Sequence, residues 1–466
     1  MDGHTPHATA GRMPLYALSP VPPSRPEWTA AIRAAPALAH HTTVAIVGGG
    51  PAGVMLAYLL ARKGIHVTLL EGAPDFERAF RGDTLQPAVL EVLDQLGLAE
   101  ALHHLPHIQA PVFRYYTEAG VFPIYDMRDL ATAFPYIMLI RQPAFLQFMV
   151  AQAQTFPTFT LRMGSRVEGL VEADGMVHGV RYRAEGHLHE LRADLTIGAD
   201  GRFSKMRQLA KAETVTLAPG TDVLWFKLPR YPDDPAGVET DIFLGARNYL
   251  AMLERDDHWQ LGYSIPKGHF KTVKSAGLEP IRAFVRQWVP WLADRVHLLE
   301  GWQQVTLLNV ELLRAKRWYT PGLLLLGDAA HVISPTGGLG INVAVQDAVA
   351  AANVLTQPLL DHHLTTRDLA AVQRHRAWQV AVIQWVQARI EQGTAAAFGR
   401  GRGSRPPTVL QLLRALPGLK KLPGWLTAYG IVPTRLSAHW LRLPDVQATH
   451  SVPVRTEHVL RTMGSS

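Results

Sequence analysis

The sequence predicts an α/β protein: a parallel-sheet domain, an inserted antiparallel-sheet domain and a helical C-terminal region. Three observations carry this. The stretch TTVAIVGGGPAGVMLAYLLARKGIHVTLLEG, from Thr42 to Gly72, reads as strand, Gly-rich turn, helix and strand within about 30 residues, the size of a βαβ unit. Two later apolar runs, ADLTIGADGRFSKMRQLA and GLLLLGDAAHVISPTGGLGINVAVQDAVAAANVL, end in tight turns before helical patterns. Between them, segments such as VLWFKLP and YLAMLERDDHWQLGYSI suggest antiparallel strands with one face covered.

In chain order, residues 1–41 form a Pro- and Ala-rich irregular arm with no basic start followed by an apolar run, so no secretory signal is expected. TVAIVGG is short, β-branched and almost wholly apolar, as a strand buried on both faces must be. Gly48, Gly50 and Gly53 give one Gly-x-Gly-x-x-Gly. Gly48 permits a tight turn, Gly50 lets the backbone approach a diphosphate, and Gly53 lets helix and strand pack closely. With Pro51 and Ala52 they open the helix whose N-terminal N–H groups would hold that diphosphate. Glu71, ending the second strand, is placed to accept from ribose hydroxyls and would repel a 2′-phosphate. No second such motif follows a strand, so one dedicated dinucleotide site is expected.

The antiparallel region covers 107–139 and 213–308 and is rich in aromatic residues, among them Tyr115, Tyr116, Trp225, Phe226, Tyr249, Trp259 and Tyr263. From about 360 the chain reads as helical, interrupted by Pro-Pro at 406–407 and Pro-Gly at 417–418 and 423–424. The absence of cysteine excludes disulfides, thiolate metal sites and dithiol redox chemistry, and is compatible with a cytoplasmic protein. No apolar run is long enough to span a membrane. The formal charge of +7 gathers in residues 400–466, where ten Lys and Arg face only Asp445 and Glu457. No nucleic-acid-binding motif accompanies them, and a solvated helical surface is the expected reading.

The glycine motif, ADGRFSKMR and LLLLGDAAHVISPTGGLGINVAVQDA, in this order, resemble the FAD-dependent aromatic hydroxylases, the para-hydroxybenzoate hydroxylase-like flavoprotein monooxygenases. FRGDTLQPAVLEVLDQLGL also resembles the helix after that family's second strand. The resemblance implies a Rossmann-like FAD-binding domain (42–106, 140–212 and 309–358), an inserted substrate domain (107–139 and 213–308) and a helical basic C-terminal region (359–466). It also implies that Asp328 bonds the flavin ribityl chain. Gly340, Ile341 and Asn342, at the start of a helix beginning at Ile341, would offer N–H groups to the flavin ring carbonyls. Pro335 and Gly338 belong to the loop at the flavin face. Asp200, Gly201 and Arg207 match a fingerprint near the FAD diphosphate that is implicated in reduced-nicotinamide binding. Arg81 and Arg141 match positions where the family sets an Arg or polar side chain against FAD.

The resemblance therefore implies a single-component monooxygenase. NADPH or NADH would visit transiently, and dioxygen would form a flavin C4a-hydroperoxide. One oxygen atom would then pass to an aromatic or polycyclic small molecule by hydroxylation or epoxidation. Two alternatives stay open here: a flavin reductase or dehydrogenase on the same fold, and a flavin-binding sensor or scaffold. No metal ligand set, no oligomeric state and no substrate-activating base can be assigned. His331 is expected to be structural, and Tyr249, Trp259 and Tyr263 are candidates to line a substrate pocket.

Overall fold

The computed structural model describes residues 41–77, 82–217, 220–235, 237–399 and 421–448. The expected N-terminal arm, except His41, and much of the basic C-terminal tail lie outside the described residues, as does Arg81. The first glycine motif folds as its pattern requires. Strand His41–Val47 pairs in parallel with Val67–Leu70 on one side and with His187–Gly198 on the other. Phe159–Arg162 extends this eight-stranded sheet at one edge, and Leu323–Leu325 with Tyr319–Thr320 extends it at the other. A hairpin, Arg166–Ala173 and Met176–Ala184, adds antiparallel strands beside His187–Gly198.

Because the central strands are covered on both faces, they are apolar throughout: Val44, Ala45, Ile46, Leu69, Leu195 and Ile197 are buried. Helix α1 (Pro51–Arg62) packs against helix α2 (Gln142–Gln154) and helix α3 (Gly340–Leu360). Ala344, Ala348, Ala350, Ala351 and Ala352 line α3 with small buried side chains, which lets the helices approach closely. Helix α4 (Thr366–Gly399) runs along α3.

A second, seven-stranded sheet comprises Thr306–Leu308, Thr221–Pro229, His258–Pro266, Tyr249–Glu254, Thr240–Leu244, Val112–Thr117 and Gly120–Asp126, in that order. Only Thr240–Leu244 and Val112–Thr117 pair in parallel. Its two faces differ. Leu250, Met252, Trp259, Leu261 and Tyr263 pack with Ile281 and Val285 of the helix Glu279–Trp288, forming a core of their own. Tyr249, Ala251 and Leu253, which alternate with them, turn to the other face and meet Val223, Trp225 and Val310. Trp225 lies so close over Gly262 that a Cβ there would stand 2.8 Å from the indole. Of the three candidate pocket residues, Trp259 and Tyr263 are core residues under the outer helices, where strand alternation places them, and the opposite face is the inner one. Tyr249 lies on that inner face.

The C-terminal stretch 421–448 folds back onto the first sheet's helices. Trp440 donates its indole N–H to Thr356 Oγ1 (3.1 Å), and Asp445 pairs with Arg62 and Lys63 (2.8 and 2.6 Å). Lys63, almost wholly buried, also lies 4.2 Å from the centre of the Trp440 ring. This part of the basic tail is docked, not a freely solvated surface.

Candidate active site

Three turns at the carboxyl ends of the parallel strands converge, the position where open α/β sheets bind ligands. The first is Gly48–Gly53. Gly48 has φ +106°, and a Cβ on it would stand 2.4 Å from the carbonyl oxygen of Ala199, so this turn and the second touch backbone to backbone. A Cβ on Gly53 would stand 2.0 Å from the Gly48 carbonyl, which is why helix and turn can be so close. Gly50 differs, since the nearest protein atom to its added Cβ is 3.8 Å away. No protein atom demands a glycine there, and its absent side chain leaves the backbone open to a ligand's approach. The Gly49 N–H donates to Glu71 Oε2 (2.7 Å) and Ala73 N–H to Oε1 (2.9 Å), holding the Glu71 carboxylate at the end of its strand. A carboxylate accepts about four hydrogen bonds, so ribose hydroxyls can share it.

The second turn follows Gly198. Asp200 accepts from Ser204 Oγ (2.5 Å) and from the Met206 N–H (2.9 Å), closing its own loop. Burial pushes its carboxyl up, against these hydrogen bonds. Arg207 reaches from this turn to the third, donating to the carbonyls of Asp328 (3.1 Å) and Ala329 (3.0 Å) and, at home, to that of Arg202 (2.7 Å). Its side chain is thus a buried strut between turns. Arg141, by contrast, is exposed and pairs with Glu77 (3.1 Å).

The third turn, Gly327–Ala329, leads through His331 to the loop Ser334–Gly338 and into α3, which starts at Gly340, one residue earlier than expected. The first intrahelical bond here is Val343 N–H to Leu339 O, so the N–H groups of Gly340, Ile341 and Asn342 precede it. Asn342 is buried and its side-chain oxygen accepts from Gln346 (3.0 Å). The loop is gripped from two sides. Thr84 Oγ1 (2.9 Å) and Gln86 Nε2 (2.6 Å) donate to the Gly338 carbonyl. On the opposite side, Gln387 of α4 accepts from the Ser334 N–H (3.1 Å) and donates to the carbonyls of Ser334 (3.1 Å) and Thr336 (2.9 Å). One helical turn further on, Glu391 accepts from the hydroxyls of Ser334 and Thr336.

His331 is structural, but through a side chain and not the backbone. Its Nε2 meets Asp347 Oδ2 at 2.6 Å, the same oxygen accepts from the Gly327 N–H (3.1 Å), and Arg376 Nε donates to Oδ1 (2.8 Å). All three side chains are buried. Desolvation opposes the Asp347 charge, yet His331 and Arg376 outweigh it and hold the carboxyl below its ordinary range. Sequence reading missed Thr84, Gln86, Asp347, Arg376, Gln384, Gln387 and Glu391. One signal was present: Arg376, Gln384 (which donates to the Val332 carbonyl, 2.8 Å), Gln387 and Glu391 repeat at helical spacing along α4, a polar stripe on a face that turns out to be buried.

The cradle a Cβ would fill at Gly50, the carboxylate at the second strand's end and the N-terminus of α3 together fit a flavin dinucleotide. This is the architecture of an FAD-binding oxidoreductase. Residues 41–384 match the model of the FAD-binding domain family. The chain is 36% identical over 395 residues to 6-methylpretetramide 4-monooxygenase of Streptomyces rimosus, covering 82% of this chain and 93% of that protein. It is 25% identical over 395 residues to protoasukamycin 4-monooxygenase of Streptomyces nodosus subsp. asukaensis, covering 76% and 90%. The solved structure of OxyS anhydrotetracycline hydroxylase from Streptomyces rimosus shares the fold, with a TM-score of 0.67 and 21% identity over 84% of this chain and 76% of that one. The chain belongs to the FAD-dependent aromatic hydroxylase family and is an FAD-dependent monooxygenase. No helix among the described residues is long and apolar enough to cross a membrane.

Proposed function

We propose that this enzyme hydroxylates a polycyclic phenolic compound of the aromatic-polyketide kind, using NADPH or NADH and dioxygen, in the cytoplasm. The observation that supports it most is the loop Ser334–Gly338, clamped on both sides and leading into a helix whose first N–H groups are uncommitted within the helix. In this reading Gly48, Gly50, Pro51, Ala52, Gly53 and Glu71 hold the adenylate and diphosphate half of FAD. Asp328, Pro335, Gly340, Ile341 and Asn342 surround the flavin half. Arg207 and Asp200 keep the second and third turns in register. FAD, when bound, supplies the hydride acceptance and oxygen activation; the chain supplies position and field. The N-terminal dipole of α3 favours negative charge beside it. The inner face of the seven-stranded sheet, with Tyr249 and Trp225, covers the reacting centre and keeps water out.

The particular substrate class is suggested by the name of the Streptomyces rimosus relative, a 6-methylpretetramide 4-monooxygenase. The test supplies 6-methylpretetramide, NADPH and isotopically labelled dioxygen to the FAD-loaded protein and weighs the product. A gain of one labelled oxygen atom supports the reading. Turnover that continues unchanged without air, with no oxygen gained, would replace it with a reductase or dehydrogenase.

A further inference from the structure

Glu391 is 5% exposed and sits where three parts of the molecule meet. From the flavin loop, Ser334 and Thr336 donate their hydroxyls to one carboxyl oxygen, Oε1. On the sheet side, the residue before strand Thr221–Pro229 is pressed against α4: a Cβ on Gly220 would stand 2.7 Å from the Glu391 carbonyl and 2.7 Å from the Ala395 methyl. Tyr249, on the inner face of that sheet, lies with its ring centre 6.3 Å from that of Phe398, two turns along the same helix. Its phenol is pushed up by burial first and by the Glu391 charge second.

The second carboxyl oxygen, Oε2, is buried and no described residue completes a hydrogen bond of full geometry to it, although the Gly220 amide approaches the carboxyl. Such an atom is costly unless something satisfies it, so native structures rarely leave one alone. The groups facing Glu391 are the Ser334 and Thr336 hydroxyls, the Gly220 amide, the Lys267 ammonium and the Tyr249 phenol. Burial outweighs the first four and raises the carboxyl from its ordinary value, toward the pH at which a general base works best.

We propose that Glu391 is the catalytic base: its Oε2 takes the proton of a substrate phenol at the junction of flavin loop and sheet. The substrate O–H bond breaks, the proton goes to Oε2, and the electron pair stays on the phenolate oxygen, which makes the ring a better oxygen acceptor. Ser334 and Thr336 keep the carboxylate aimed. This assignment rests on the phenolic-substrate reading above.

The test reads ionisation of the bound phenol, not turnover. Difference spectra of 6-methylpretetramide and of 4-nitrophenol are recorded on the FAD-loaded full chain, across the pH range in which the free phenols titrate. The wild type is expected to ionise at least one of them at lower pH than water does. Glu391→Gln keeps an acceptor for Ser334 and Thr336 but cannot take the proton; it is expected to show about tenfold less phenolate at a given pH, one pKa unit, with the neutral phenol still bound. Glu391→Asp should recover part of the signal. A Glu391→Gln protein that ionises the phenol as the wild type does overturns the assignment. So does one that has lost its FAD absorbance, which would make Glu391 a support for the loop alone. If the wild type binds neither phenol, the phenolic-substrate reading falls and takes the assignment with it.

Discussion

At Gly48–Gly53 the chain shapes its cofactor cradle by leaving side chains out. At Ser334–Gly338 it shapes the other half of the cradle by bringing side chains in, from Thr84 and Gln86 about 250 residues before and from Gln387 and Glu391 about 50 after. The first turn is a local object: its geometry follows from which positions lack a Cβ. The second is a product of tertiary packing, and any local stretch of it could have adopted several shapes. Errors in the two should therefore fail in different ways.

The sharpest contrast lies inside the first turn. Gly53→Val drives a side chain into the Gly48 carbonyl, where no flexible group can yield, so no folded protein should be recovered. The Cβ of Gly50→Val would stand 3.8 Å from the nearest protein atom, so this variant should fold, but it blocks the diphosphate. The expected product is a colourless, cooperatively melting apoprotein; yellow Gly50→Val protein would show that the cradle lies elsewhere.

Next in size comes the support behind the second turn. Asp347→Ala leaves Arg376 and His331 buried without their shared carboxylate. Breaking a buried pair in this way costs about 3–5 kcal/mol, visible in denaturant melts of the apoprotein. A loss below about 1 kcal/mol, the worth of a surface pair, would mean that α3 and α4 hold together without it.

Asp328→Ala keeps the backbone carbonyl that Arg207 holds, so its main expected effect is on FAD. Removing charged hydrogen bonds to the ribityl hydroxyls costs about 1.5–3 kcal/mol, or roughly ten- to a hundredfold in FAD affinity. An unchanged dissociation constant by flavin fluorescence would make Asp328 a turn former only.

The smallest effect separates two carboxylates by sign. Asp347 is held below its ordinary range, so the stability it adds is present above the unfolded carboxylate pKa and is lost as pH falls through its folded value. Glu391 is raised, so stability is fullest below the unfolded pKa and declines as pH rises through its folded value. Glu391→Gln should then melt higher than the wild type near neutral pH and no higher in acid. The opposite order would show that the Glu391 charge is welcomed by its surroundings.

How much of this was legible beforehand follows the same division. The parallel strands, the three turns and the covered antiparallel sheet are written in apolar runs and in Gly positions, because local backbone rules act over a few residues. The roles of Arg207, His331, Asp347 and Glu391 are not. Arg207 read as part of a fingerprint near the FAD diphosphate, and its tie between the second and third turns was not visible; Asp347 carried no signal of its own. Apart from the Arg202 carbonyl five residues from Arg207, the partners named for them lie between 16 and 122 residues away, and only the folded chain decides which polar groups share a buried space. Tyr249, Trp259 and Tyr263 form an intermediate case. Alternation says that Tyr249 and Tyr263 lie on definite faces, but which face meets helices and which meets the flavin loop depends on how the sheet is docked.

The placement of His41–Val47 at the centre of its sheet has a consequence for biosynthesis. The last residues of its neighbour, Thr196–Gly198, gain their outer partner only with Leu323–Leu325, and α1 is not sealed until residues near Asp445 pair with Arg62 and Lys63. At roughly 5–20 residues per second, the ribosome releases the strand at 323 on the order of 15–60 s after the first strand. For all that time the apolar side of α1 has no finished surface to lie against. Nascent chains stalled before residue 323 should stay protease-sensitive and hold chaperones, whereas chains stalled well beyond 446 should resist digestion. If the shorter chains are already protected, the N-terminal unit matures on the ribosome without waiting for the rest.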